Sequence, residues 1–122
     1  MPGKWTRRLV VTVVAAGAAL GFAAPSLGDT TRIKAVKEGD KFFWNKDFVT
    51  ISKGDKVVWR NPTNVKHTVT FYKGASKDTK IGEGERTSKK FRKRGAFLYR
   101  CKLHSQLNDG ECSGMCGHVH VN

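Results

Sequence analysis

No apolar pattern with a helical period runs for a useful length after residue 24, so a domain built on amphipathic helices is not expected. No second apolar segment follows the first, so no later membrane span is expected either. Internal repeats and Pro-rich linkers are missing, and 122 residues set one domain as the prior. Cysteine is scarce and late: the 3 present are Cys101, Cys112 and Cys116. They form no Cys-x-x-Cys knuckle, which argues against a structural zinc site. Acids are few, 10 against 23 Lys and Arg, for a formal net charge of +13. No general acid and base, and no nucleophile in a suitable setting, can be picked out, so an enzyme is not expected.

The first stretch stands apart. Met1 to Arg8 carries Lys4, Arg7 and Arg8 without an acid, and Leu9 to Ala24 is almost wholly apolar and small. Pro25, Ser26 and Gly28 follow. That order is the charged, apolar and small-residue layout of an export signal. Ala23, Ala24 and Gly28 each offer a residue at which to cut, so residues 1–28 read as the signal and 29–122 as the domain. Arg7-Arg8 after Thr6 gives a partial twin-arginine pattern. The alternative is an uncleaved anchor, but sixteen weakly apolar residues fall short of the roughly 20 that span a bilayer. No Cys lies near the apolar end, so no lipoprotein anchor is expected. The mature protein is expected to be a soluble, secreted or periplasmic monomer.

Removing the signal leaves about +10 on residues 29–122, with Lys89, Lys90, Arg92, Lys93 and Arg94 as its densest run. Export and the lack of aromatic interleaving argue against nucleic acid as the partner. A solvated strand face accounts for the run. A functional role would be docking to an acidic redox partner or an anionic envelope surface.

From Phe48 onward the pattern is that of strands. Phe48 to Ser52 ends in the turn signal Lys53-Gly54-Asp55, and Lys56 to Asn61 is the next strand. Asn61-Pro62-Thr63-Asn64 is a loop. Val65 to Tyr72 alternates, with His67, Val69 and Phe71 on one face. Lys73 to Glu85 is expected as a loop or irregular edge, and Thr87 to Arg92 as a polar strand. Ala96 to Cys101 is a strand with Phe97, Tyr99 and Cys101 on one face. Lys102 to Cys116 is expected as a long loop, and Gly117 to Asn122 as the last strand. Short, closely spaced strands of this kind predict an all-β antiparallel sandwich.

The residues that can carry chemistry are His67, Cys101, His104 and Met115. Two imidazoles, a thiolate and a thioether suit copper passing between Cu(I) and Cu(II). Each also has an ordinary role: a strand histidine, a buried thiol, a Met plugging the core. Their order, His, Cys, His, Met, is what sets them apart.

Those residues carry a resemblance. Tyr99-Arg100-Cys101-Lys102-Leu103-His104, followed by Gly114-Met115-Cys116-Gly117-His118-Val119-His120-Val121, resembles the copper loop and last strand of plastocyanins. Phe48 to Gly54, Val57 to Asn61 and Lys66 to Val69 resemble the preceding strands and His segment of plastocyanin-like cupredoxins. The resemblance implies a Greek-key sandwich, a type 1 copper site made by His67, Cys101, His104 and Met115, and one-electron transfer. The edge of His104, beside Leu103 and Leu107, is then the expected port for electrons. A copper storage, delivery or resistance module could use the same four ligands. A nitrite reductase or multicopper oxidase domain would need more chain and more His pairs.

The sequence departs from plastocyanins between His104 and Met115, which is longer and contains Cys112. Cys112 and Cys116 bracket Met115, and export permits a disulfide between them. Their spacing allows the Cα separation of about 4.4–6.8 Å that a bridge needs. Cys101 would then be the one free thiol. Cys112-x3-Cys116-x3-His120 also resembles the binuclear copper site of cytochrome oxidase subunit II. That site needs a Met three residues after the His, and the sequence given stops at Asn122. His118 and His120 share the strand face opposite Val119 and Val121, and are expected to face solvent or to form a weak copper-capturing pair.

Overall fold

A computed structural model describes residues 28–122; the expected signal and most of its cleavage zone lie outside the described residues. Nine strands form: β1 Thr30–Glu38, β2 Lys41–Trp44, β3 Phe48–Ile51, β4 Lys56–Arg60, β5 His67–Lys73, β6 Asp78–Ile81, β7 Arg86–Lys90, β8 Gly95–Asn108 and β9 Glu111–Val121. No helix appears among the described residues. One sheet runs β2-β1-β4-β7 and the other β3-β9-β8-β5-β6, with the chain crossing repeatedly between them.

The expected β-sandwich is thus present, but its sheets are mixed. β1 pairs parallel with β4, and β3 parallel with β9; the other pairings are antiparallel. Alternation in the sequence could not reveal this, because a strand buried on one face looks the same whichever way its neighbour runs.

The period-2 pattern fills the space between the sheets. Trp59, Val69, Phe71, Phe97, Tyr99, Val119 and Val121 are buried from their strands' inner faces. Trp59 meets Tyr99 edge-on with ring centroids 5.2 Å apart, and Trp44 lies 5.7 Å from Tyr99. Tyr99 stands directly opposite Gly117 in the β8–β9 register. A Cβ on Gly117 would run into the Tyr99 ring, so only glycine lets that ring lie over β9.

The stretch from Lys102 to Cys116 is not a loop. β8 continues to Asn108, turns at Asp109-Gly110 and returns as β9 from Glu111. Asp109 (φ 51°) and Gly110 (φ 81°) both lie in the left-handed region that a two-residue hairpin turn requires. Lys73 to Glu85 holds one edge strand, β6, and β7 is the polar strand expected near Thr87.

The sandwich has two distinct ends. Asn61, the start of β5 and the middle of β8 lie at one. At the other, Gly54 N donates to Phe91 O and Lys53 N to Asn122 O, while Gly95 pairs with Val121. The chain joins the fold there, where Lys56 N donates to Asp29 O.

Candidate metal centre

The centre begins with an irregularity in the β8–β9 pairing. Arg100 pairs with Cys116 and Ser105 with Gly114, so Cys101 through His104 oppose the single residue Met115. Extra residues on one strand bend it and re-aim its side chains. The result brings Cys101 and His104, three residues apart, to the same point. Ser105 Oγ donates to Cys101 O and Arg100 Nη1 to Ser105 Oγ, which braces the bend. Met115 is completely buried on β9 opposite it.

His67 arrives from the other side, at the first position of β5. The loop before it is tied by a buried amide. Asn61 Nδ2 donates to Val65 O at 2.8 Å and Ile81 O at 2.9 Å, while Oδ1 accepts from Thr63 N at 3.0 Å and Thr63 Oγ1 at 2.6 Å. With its hydrogen committed to Asn61, the Thr63 hydroxyl oxygen accepts from His67 Nε2 at 2.9 Å. That contact assigns the proton to Nε2 and leaves Nδ1 with a free lone pair.

Three donor atoms then meet. His67 Nδ1 lies 3.2 Å from His104 Nδ1 and 3.7 Å from Cys101 Sγ, and His104 Nδ1 lies 3.4 Å from that sulfur. All fall within 4.8 Å of one another. Such edges suit a cation bonded to each donor at about 2.0–2.3 Å. Burial, with the His104 ring adding to it, pushes the His67 imidazole down to about 4. Burial also holds His104 below its ordinary value. Both rings are therefore neutral near pH 7, the form that binds a metal.

The surroundings fix these atoms. Thr68 N donates to Cys101 Sγ at 3.3 Å, which fixes the sulfur's position. A closed hydrogen-bond circuit ties β5, β6 and β8 beside it. Lys102 N donates to Thr68 Oγ1 at 2.9 Å, Thr70 Oγ1 donates to Asp78 Oδ1, and Asp78 pairs with Lys102 Nζ at 2.8 Å. Thr68 and Thr70 hydroxyls close it at 3.0 Å. Phe42 walls the site, its ring 5.0 Å from His67 and 4.4 Å from His104. His67 and Cys101 are fully buried, whereas His104 is half-buried. His104 lines a groove with Asp40, Lys41, Phe42, Phe43 and Gly114. Leu103 is 56% and Leu107 37% exposed nearby in sequence.

Cys112 and Cys116 form a disulfide with a Cα separation of 6.1 Å, and Cys101 is the free cysteine among the described residues. Two sulfurs bonded to each other cannot both serve a binuclear centre, so the oxidase-type arrangement with His120 is ruled out in this form. His118 and His120 do face away from Val119 and Val121. They are half-buried rather than open, and Phe48 covers His118 with ring centroids 4.5 Å apart.

Sequence reasoning singled out His67, Cys101, His104 and Met115, and the first three donors meet. It missed Phe42, Asn61, Thr63 and Thr68. Asn61 sat inside a recognised Asn-Pro turn, but nothing in the sequence marks an Asn that is 0% exposed.

The fold is similar to that of cupredoxins. Two oxidised amicyanin variants match with TM-scores of 0.61 and 0.59 at 20% and 21% identity, each covering 76% of this chain and 82% of the other. A purple cupredoxin from Nitrosopumilus maritimus matches with a TM-score of 0.58 at 18% identity, covering 75% of this chain and 99% of that one. At such identities the likeness shows the fold alone. No curated protein matches the sequence. The sequence model described as copper binding proteins, plastocyanin/azurin family, matches residues 31–122. Copper is accordingly the metal that the cluster of imidazoles and thiol suits. The chain belongs to the plastocyanin/azurin family of copper-binding proteins.

Proposed function

We propose that this is an exported single-electron carrier, not an enzyme, whose copper is held by His67, Cys101, His104 and Met115. The carrying observation is the convergence of His67 Nδ1, His104 Nδ1 and Cys101 Sγ within 4.8 Å. Bound copper supplies the chemistry, a one-electron change between Cu(I) and Cu(II). The chain's part is to hold, tune and shield. Thr63 locks the His67 ring, and Thr68 N holds the Cys101 sulfur in place. Buried Met115, opposite the bend, offers a weak thioether. Phe42, Trp44 and the sandwich core exclude water from all but the His104 side, which leaves that edge as the port for electrons.

Residues 1–28 serve as a removable export signal, and 29–122 act as a monomer outside the cytoplasm. The partner is a redox protein that docks at the exposed edge of His104. The dense basic run Lys89–Arg94 lies at the far end and takes no part in that docking.

Protein-film voltammetry of the copper-loaded protein tests carriage. A fast, reversible one-electron wave is expected. Slow exchange, with Cu(I) readily lost to a chelator, would instead assign copper storage or delivery.

A further inference from the structure

The charges are divided between the two ends of the sandwich. Lys53, Lys56, Lys90, Arg92, Lys93 and Arg94 cluster at the end away from Cys101, where Gly54 N meets Phe91 O and Lys53 N meets Asn122 O. All six are exposed. Among the described residues the one ion pair, Lys102–Asp78, lies elsewhere, so none of these cations has a carboxylate partner. Lys56 even stands directly opposite Lys90 across β4 and β7, a juxtaposition that costs stability.

Acids are scarce at this end. Of the 10 in the chain, Asp29 and Asp55 alone lie here. The Asp55 carboxylate is turned inward, accepting from Asp29 N and Ser52 N at 2.9 Å each. By contrast Glu38, Asp40, Glu83, Glu85, Asp109 and Glu111 all sit toward the Cys101 end. Glu85 O accepts from Asn61 N, Asp40 shares the His104 groove, Asp109 lies in the hairpin turn and Glu111 directly follows it.

A second observation says what covers the basic end. The chain joins the fold there, Asp29 being bonded to Asp55 and Lys56, so the stretch carrying Lys4, Arg7, Arg8 and the apolar run Leu9 to Ala24 leads into this same end. In an exported chain that run lies at a membrane when the domain emerges.

From these two facts we infer that the basic end is a docking surface for an anionic lipid bilayer. Six cations free of partners attract acidic headgroups within about a Debye length of the surface. The geometry gives the docking a purpose. Gly95 to Cys101 spans six residue steps of β8, about 20 Å at roughly 3.3 Å each. Docking by the basic end therefore holds the His104 edge out in solution, where a soluble partner reaches it. Copper is not needed for the attachment.

Vesicle co-sedimentation of the full chain at low ionic strength tests this. Vesicles of phosphatidylcholine alone are compared with vesicles containing phosphatidylglycerol. Stronger partition to the anionic vesicles is expected. The quadruple variant K90E/R92E/K93E/R94E should lose about tenfold or more of it. A control with the same charge change at the other end, K37E/K41E/K66E/K80E, should lose far less. Every protein carries the same N-terminal run, so its own lipid affinity cancels. Should the quadruple variant fail to fold, R92Q/K93Q alters only an exposed turn and should still lose several-fold. Equal losses in both charge-reversed proteins would overturn the proposal, since net charge alone would explain them. So would indifference to phosphatidylglycerol, and polyglutamate binding in that case would assign the surface to an acidic protein.

Discussion

Asn61 shows how much of the centre depends on a side chain that never approaches it. Its amide makes four hydrogen bonds while 0% exposed, and through Thr63 it orients the His67 ring. Asn61→Ala leaves Val65 O, Ile81 O and Thr63 N without these partners. A buried group left unpaired costs about 1–3 kcal/mol, so a loss of about 2–3 kcal/mol in urea unfolding is expected. Asp55 plays a comparable part at the opposite end. Its carboxyl is held below the ordinary value by the backbone N–H of Ser52 and then that of Asp29. A depressed folded value means that its stabilisation is present above the unfolded value of about 3.9 and fades as pH falls through the folded one. Asp55→Ala should therefore unfold at lower urea than the native protein at pH 7, and the gap should shrink at pH 3. A gap unchanged between the two would show that its charge is irrelevant.

At the scale of elements, the β8–β9 hairpin both makes the bend that gathers the donors and extends well past it. The disulfide ties Cys112 to Cys116 across Met115. Closing so short a loop is worth about 2 kcal/mol in the chain-entropy treatment. Its larger effect should be local. Cys112→Ser/Cys116→Ser is expected to keep the fold, lower stability by about that amount, and shift the reduction potential as Met115 gains freedom. An unchanged potential would show that the sandwich alone positions Met115. The hairpin was half legible in the sequence. Asp109-Gly110 is a strong hairpin-turn signal. Its flanks, Lys102 to Asn108, are too polar to alternate, because this part of β8 projects beyond the core and none of its side chains is fully buried.

Across the whole molecule, legibility followed burial. Phe97, Tyr99, Cys101, Val119 and Val121 alternate in sequence because one face of each strand meets the core, and the sandwich follows from that. The parallel pairings and the aromatic wall at Phe42 depend on which strands lie side by side, which local pattern does not encode. The donors were legible for another reason: His67, Cys101 and His104 are chemically distinctive wherever the chain puts them. The division of charge between the two ends was legible only as an unlocated excess of Lys and Arg. It became a direction once the register assigned each residue to an end.

Copper-loading of the native protein and of Cys101→Ser, followed by visible absorption and EPR, tests the convergence of the donors most directly. The native protein should show an intense band toward the red end of the visible, from charge transfer between thiolate and copper, together with an unusually small copper hyperfine splitting; both should vanish in the variant. Identical spectra from the two proteins would contradict the account, because Cys101 would then not be bound to the metal.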